Sequence, residues 1–143
     1  MIQKEPPENF SPRFEVVSCF VEVSGEVLFL RRQEDKSEGN KWGVPAGKID
    51  AGEDEIQAIA REIWEETGLA LPYEQITYFD KVYVRYPDYD FVYHMFHAKL
   101  EERPDVTISK VEHQEFCWAS PQDSLAMDLI RDEDACIRLF FGI

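Results

Sequence analysis

The sequence has few cysteines, few basic residues and no long apolar run. Its three cysteines, Cys19, Cys117 and Cys136, are widely spaced, so neither a disulfide framework nor a cysteine-based metal site is predicted. The 29 acidic and 15 basic residues give a formal net charge of −14, which argues against non-specific binding to nucleic acid or to an anionic membrane. No segment has the length and apolarity of a transmembrane helix or a signal peptide. We expect a cytoplasmic protein.

The chain does contain enough apolar residues for a folded core. Apolar residues make up 44% and aromatic residues 13% of its 143 residues, which suits one globular domain. Residues 1–12 carry three prolines among polar residues and are predicted to form an N-terminal tail or edge segment. Residues 13–143 show no internal break, so we predict a single domain there.

Strand and helix patterns follow one another in mixed order. The runs FEVVSCFVEV and EVLFLRR flank Ser24-Gly25, which predicts a hairpin with apolar side chains on both faces. Further strands are predicted at about 75–85, 91–100 and 115–119, and helices from Asp54 to about Thr67 and after Ser120. This order predicts an α/β (α+β) fold in which a sheet lies between helices.

One helical turn carries three carboxylates. In REIWEETG, residues 61–68, Glu62, Glu65 and Glu66 are helical neighbours, and like charges at this spacing destabilise a helix. A solvated acidic surface would explain them, and so would a bound Mg²⁺ or Mn²⁺, since these ions prefer oxygen ligands.

The wider sequence favours the metal. From Gly47 to Leu69 it reads GKIDAGEDEIQAIAREIWEETGL, which has glycine, five residues, glutamate, seven residues and then Arg-Glu-aliphatic-x-Glu-Glu-x-Gly-aliphatic. This stretch resembles the signature of the Nudix hydrolases, and WGVPAG and EHQEFCWAS outside it are similar to the family as well. The resemblance implies a Nudix-type α/β/α sandwich with a mixed sheet. It also implies metal-dependent hydrolysis of a nucleoside diphosphate linked to another group, X.

The resemblance also assigns roles within and beyond the signature. The implied metal ligands are Glu62, Glu65, Glu66, Glu115 and the carbonyl group of Ala46. The general base is left open between Glu66, Glu112 and Glu115.

Other residues of the signature are expected to be structural. Arg61 cannot bind a metal, but its planar guanidinium can hold Glu53 and fix the loop to the helix. Gly47 permits close approach of the backbone to a ligand, and Gly68 suits the end of the helix. Arg31, Arg32, Lys48 and Tyr83 are the candidates for contacts with substrate.

The group X stays open. A nucleotide, ADP-ribose, a nucleotide sugar and a dinucleoside polyphosphate all fit a small phosphorylated substrate. A catalytically silent nucleotide-binding sensor is the alternative from another class, although none of the glutamates of the signature is missing. A homodimer is also left open, because many relatives form dimers.

Overall fold

The computed structural model describes residues 2–143, which form a mixed sheet with helices on both faces. The elements in chain order are β1 (Ile2–Gln3), β2 (Pro12–Val23), β3 (Glu26–Arg32), β4 (Trp42–Gly43), β5 (Ala46–Lys48), α1 (Glu55–Thr67), β6 (Thr77–Arg85), β7 (Asp90–Leu100), β8 (His113–Ala119), α2 (Pro121–Ser124) and α3 (Glu133–Phe141). A 3-10 turn, Tyr73–Gln75, precedes β6. The order of strands is β1-β6-β7-β2-β3-β4, while β5 pairs with β2 and β8 with β3.

The predicted hairpin forms, but its strands soon separate. Ser24 and Gly25 both have positive φ, which matches the right-handed twist of the strands they join. Strands β2 and β3 pair only at Glu22↔Val27 and Val23↔Glu26. Beyond that point β4 pairs with β3 and β5 pairs with β2, so the segment 42–48 fills the gap between the diverging strands.

The central strands are covered on both faces, as their apolar pattern predicts. Val17, Cys19 and Val21 of β2 pack in one core cluster with Ile59 and Ile63 of α1. Alternate positions on the same sheet, including Phe20, Phe29 and Met95, belong to a second cluster. Cys136 and Ile137 of α3 complete this cluster. The result is the predicted α/β/α sandwich. The parallel pairing of β2 with β7 makes the sheet mixed.

Helix α1 begins and ends where its sequence predicts. Asp54 caps the N-terminus by accepting a hydrogen bond from the backbone N–H of Gln57, whose side chain accepts one from the backbone N–H of Asp54. Gly68 ends the helix with φ 76°, a left-handed conformation that favours glycine.

At the N-terminus, β1 pairs antiparallel with β6 at the edge of the sheet. Within residues 2–143 no helix has the length and apolarity needed to cross a membrane.

Candidate active site

A buried carboxylate, Glu66, lies at the centre of the candidate site. Its side chain is 2% exposed, and Oε1 accepts a long hydrogen bond of 3.4 Å from the backbone N–H of Ala46. Oε2 has no hydrogen-bond partner. Burial raises the pKa of Glu66 well above its usual range, and the neighbouring carboxyl groups of Glu62 and Glu112 raise it further. A buried carboxyl oxygen without a partner is costly, and a bound cation would relieve that cost.

Close approach of β5 to α1 brings the backbone of Ala46 and Gly47 to these carboxylates. A methyl group on Gly47 would overlap the carboxyl group of Glu62. A side chain at position 47 would therefore displace the carboxyl group of Glu62. The backbone N–H of Ala46 donates to Glu66, so the carbonyl group of the same residue also lies near this carboxylate.

Arg61 links the loop before α1 to the helix. Its guanidinium donates to Glu53 from Nε at 2.7 Å and from Nη2 at 3.0 Å, and Nη2 also donates to the carbonyl of Lys48 at 3.1 Å. Nη1 donates to Glu62 at 2.8 Å and to Glu65 at 3.2 Å. The hydrogen bond from Arg61 holds the pKa of Glu53 below its usual value. Glu65 is about half exposed and faces Arg61.

The segment entering β8 supplies two more groups. His113 is buried, with Nε2 4.0 Å from Oε1 of Glu66 and with no hydrogen-bond partner for Nδ1. Burial and the nearby charge of Arg32 lower the pKa of His113 to about 4, so its ring is neutral at pH 7. Glu112 is an electrostatic neighbour of Glu66, whereas Glu115 forms a half-exposed ion pair with Arg31 at 3.0 Å.

The structure therefore brings together Glu62, Glu66, Glu112 and the backbone of Ala46. Sequence analysis did not place His113 beside them. The chemistry of these groups suits a divalent cation, because they offer oxygen ligands and one of them has a buried carboxyl oxygen without a partner.

A second group of side chains that could hold a metal lies near the start of α1. Glu15, Glu55 and His94 bring one ligand atom each within 4.8 Å of one another. Nε2 of His94 is 2.7 Å from Glu15, and Nδ1 is 2.9 Å from the hydroxyl of Tyr78. Both ring nitrogens are thus hydrogen bonded without an ion.

The candidate substrate residues are divided between regions. Arg32 and Lys48 line a cavity of about 280 Å³ on the α3 face of the sheet, and Nζ of Lys48 lies 4.3 Å from the centroid of the Phe14 ring. Arg31 is paired with Glu115, and Tyr83 packs edge-on against Phe10 outside the cavity.

Residues 12–140 match the NUDIX domain family. The chain belongs to the Nudix hydrolases. This Nudix hydrolase is 25% identical over 131 residues to the CTP pyrophosphohydrolase of Escherichia coli K12, covering 90% of this chain and 92% of that protein. Among solved structures, a MutT protein from Methanosarcina mazei superposes with a TM-score of 0.77 at 27% identity, covering 92% and 94% of the two chains. An Ap4A hydrolase from C. elegans superposes with a TM-score of 0.73 at 24% identity, covering 90% and 96%, and shows the shared fold.

Proposed function

We propose that this Nudix hydrolase is a pyrophosphohydrolase that requires Mg²⁺ or Mn²⁺ and cleaves the diphosphate bond of a nucleoside diphosphate linked to X. The observation that supports it most directly is the crowding of Glu66 against Glu62 with one buried carboxyl oxygen unpartnered. A protein keeps such an arrangement at a cost, and a divalent cation is the partner that the donor set suits.

Glu62, Glu66 and the carbonyl of Ala46 would hold the metal. The metal would neutralise phosphate oxygens and make the attacking water more acidic. Arg61 orients Glu62 from one side, and Gly47 lets the carboxylate approach the backbone. Glu65 would enter through a water molecule, since its side chain faces Arg61.

Of the three candidates for the general base, Glu66, Glu112 and Glu115, we favour Glu112, because Glu66 would hold the metal. Glu112 is exposed to water, and its charge is close enough to raise the pKa of Glu66. Glu115 instead accepts a hydrogen bond from Arg31. His113 lies 4.0 Å from Glu66, and its neutral ring has one nitrogen that donates and one that accepts a hydrogen bond. It therefore offers polar contacts without adding positive charge.

We favour a phosphate group as X, which makes the substrate a nucleoside triphosphate. The similarity to a CTP pyrophosphohydrolase along nearly all of both chains supports this class. ADP-ribose and dinucleoside polyphosphates are the competing substrates.

Turnover of a nucleotide panel tests the proposal. Phosphate and pyrophosphate release from nucleoside triphosphates, ADP-ribose, nucleotide sugars and dinucleoside polyphosphates would be measured with Mg²⁺, with Mn²⁺ and with EDTA. We expect metal-dependent release of a nucleoside monophosphate from one class, and its loss in Glu66→Gln. If Mn²⁺ binds in solution but none of these compounds is hydrolysed, the proposal is wrong.

A further inference from the structure

A histidine and two glutamates from three different elements meet near the start of α1. Glu15 of β2, Glu55 of α1 and His94 of β7 each bring one possible ligand atom within 4.8 Å of the other two. Glu55 is the first residue of α1, whereas Glu62 and Glu66 lie about two and three helical turns further along. The Nudix signature specifies none of the three residues, and the proposed hydrolysis does not use them.

The ring of His94 is buried and held in one orientation. His94 is 3% exposed, its Nδ1 lies 2.9 Å from the hydroxyl of Tyr78, and its Nε2 lies 2.7 Å from Oε1 of Glu15. A histidine that binds a metal through one ring nitrogen usually donates the N–H of the other to an oxygen, which fixes the ring and makes the ligating nitrogen more basic. The hydroxyl of Tyr78 is placed to accept that hydrogen bond. Nε2 is then the nitrogen that faces the carboxylates.

The two carboxylates beside His94 have no cationic partner among the described residues. Within residues 2–143 no lysine or arginine forms an ion pair with Glu15 or Glu55. Lys81 is the cross-strand neighbour of His94, but its ammonium group lies over the ring of Tyr83, 5.9 Å from the centroid. A bound cation would therefore supply a positive charge that the chain does not provide at this point.

The types of ligand favour Zn²⁺ over Mg²⁺. Imidazole nitrogen is a good ligand for Zn²⁺, whereas Mg²⁺ prefers oxygen ligands and keeps several of its waters. Two atoms bound to one tetrahedral zinc ion lie roughly 3.3 Å apart. Small rotations can bring the ligand atoms to this spacing, because the side chain of Glu15 is about half exposed and free of close packing on that side.

We propose that Glu15, Glu55 and His94 form a zinc site, with water as the fourth ligand, that ties the start of α1 to β2 and β7. Binding changes which ring nitrogen of His94 carries a proton. Without the ion, Nε2 needs a proton to hydrogen bond with the carboxylate of Glu15 at 2.7 Å. With zinc bound, Nε2 gives its lone pair to the ion, and the proton of the ring is on Nδ1 and is donated to Tyr78.

Nitrogen-15 NMR of the histidine rings tests the proposal in the wild-type protein. The chain has only three histidines, so each ring can be assigned. The untagged full-length protein would be titrated with Zn²⁺ at pH 7.5 in excess Mg²⁺, and Mg²⁺ alone would be the comparison. We expect Zn²⁺ to remove the proton from Nε2 of His94 and to leave a proton on Nδ1, and we expect Mg²⁺ to cause no such change.

Substitutions of the ligands and of Tyr78 test the composition of the site. Glu15→Gln and Glu55→Gln should each weaken Zn²⁺ binding, measured by calorimetry, by at least about 10-fold, the lower limit for groups that only support a metal ligand. Tyr78→Phe should weaken it by about 10- to 100-fold, because Nδ1 loses its acceptor. Glu22→Gln is the matched control. Glu22 pairs with His97 at 2.8 Å, but within residues 2–143 no third ligand atom joins that pair, so Zn²⁺ affinity should stay at the wild-type value.

Zinc should also stabilise the folded protein, because an ion that binds only the folded chain shifts the unfolding equilibrium. In excess Mg²⁺, Zn²⁺ should raise the unfolding temperature of the wild-type protein more than that of Glu55→Gln. If Zn²⁺ leaves the ring signals of His94 unchanged, or if Mg²⁺ changes them equally, the proposal is wrong. Equal Zn²⁺ affinity of the wild-type protein and Glu55→Gln would also overturn it. None of these measurements uses turnover, so they do not depend on whether the proposed hydrolysis is correct.

Discussion

Replacing Glu133 by glutamine should make the protein more stable at alkaline pH. Burial raises the pKa of Glu133 from 4.5 to about 7, and the hydrogen bond from Val44 offsets only part of this effect. The titratable groups that face it are Asp134 and Cys136 on α3 and Tyr93 on β7. Arg32 and Lys48 line the same cavity as Glu133, but within residues 2–143 neither forms an ion pair with its carboxyl group.

The direction and magnitude of the change in the free energy of unfolding follow from proton linkage. Between pH 4.5 and 7 the native protein holds a proton on Glu133 that the unfolded chain has lost, so native stability falls as pH rises through this window. Above pH 7 the loss is complete. It amounts to about 3 kcal/mol, because each pKa unit is worth about 1.4 kcal/mol. Glutamine removes this dependence, although its buried amide adds a penalty that does not vary with pH.

Urea unfolding of the wild-type protein and Glu133→Gln at pH 5 and pH 8.5 measures the effect. The free energy of unfolding of the variant should gain about 2–3 kcal/mol relative to wild type between the two pH values. Glu102→Gln serves as the control, since this carboxylate is exposed and is not among the groups that raise the pKa of Glu133. If the two free-energy curves run parallel from pH 5 to pH 8.5, Glu133 is not a desolvated carboxylate in the folded protein.

Three further substitutions test the carboxylate cluster. Glu66→Gln should lower turnover by more than the roughly 10- to 100-fold cost of losing a group that only supports a metal ligand. Thermal unfolding of the metal-free variant should occur at a higher temperature, because burial of an ionisable carboxyl group no longer opposes folding. Arg61→Ala should lower the free energy of unfolding by about 1.5–3 kcal/mol, the range for a hydrogen bond to a charged group, and lysine should not restore it because lysine lacks the planar fork. Gly47→Ala should weaken Mn²⁺ binding, measured by electron paramagnetic resonance, because the added methyl displaces Glu62. Gly52 has a positive φ and open space around it, so Gly52→Ala should lower stability without changing Mn²⁺ affinity. Equal Mn²⁺ affinity in the two variants would refute the argument that close packing at Gly47 positions Glu62.

Local features of the fold are predictable from the sequence. The Ser24-Gly25 turn, the Asp54 cap and the Gly68 ending each depend on residues within a few positions of one another. The periodicity of α1 likewise places Glu62 and Glu66 together before any tertiary contact is known. The separation of β2 from β3 is different, because it depends on which later segments fill the gap.

The residues that sequence reasoning missed owe their significance to distant segments. Glu133 at the start of a short amphipathic helix has the pattern of an ordinary acidic helix terminus. It becomes unusual only because the aromatic residues of β2 and β7 and the backbone of Val44 bury it. His113 similarly gains its environment from α1, 47 residues earlier in the chain at Glu66. No short-range signal marks either residue.

The guanidinium of Arg61 forms ion pairs with Glu53, Glu62 and Glu65, so these carboxylates have a positive partner even without a metal. A zinc finger needs its metal in order to fold, whereas here Arg61 already pairs with the carboxylates, so the helix would not need the proposed catalytic metal in order to fold. At the proposed catalytic metal site, binding of the ion would exchange the partner of Glu62 from Arg61 to the metal. Removal of the ion by a chelator should then stop turnover without unfolding the protein, and adding the ion back should restore turnover.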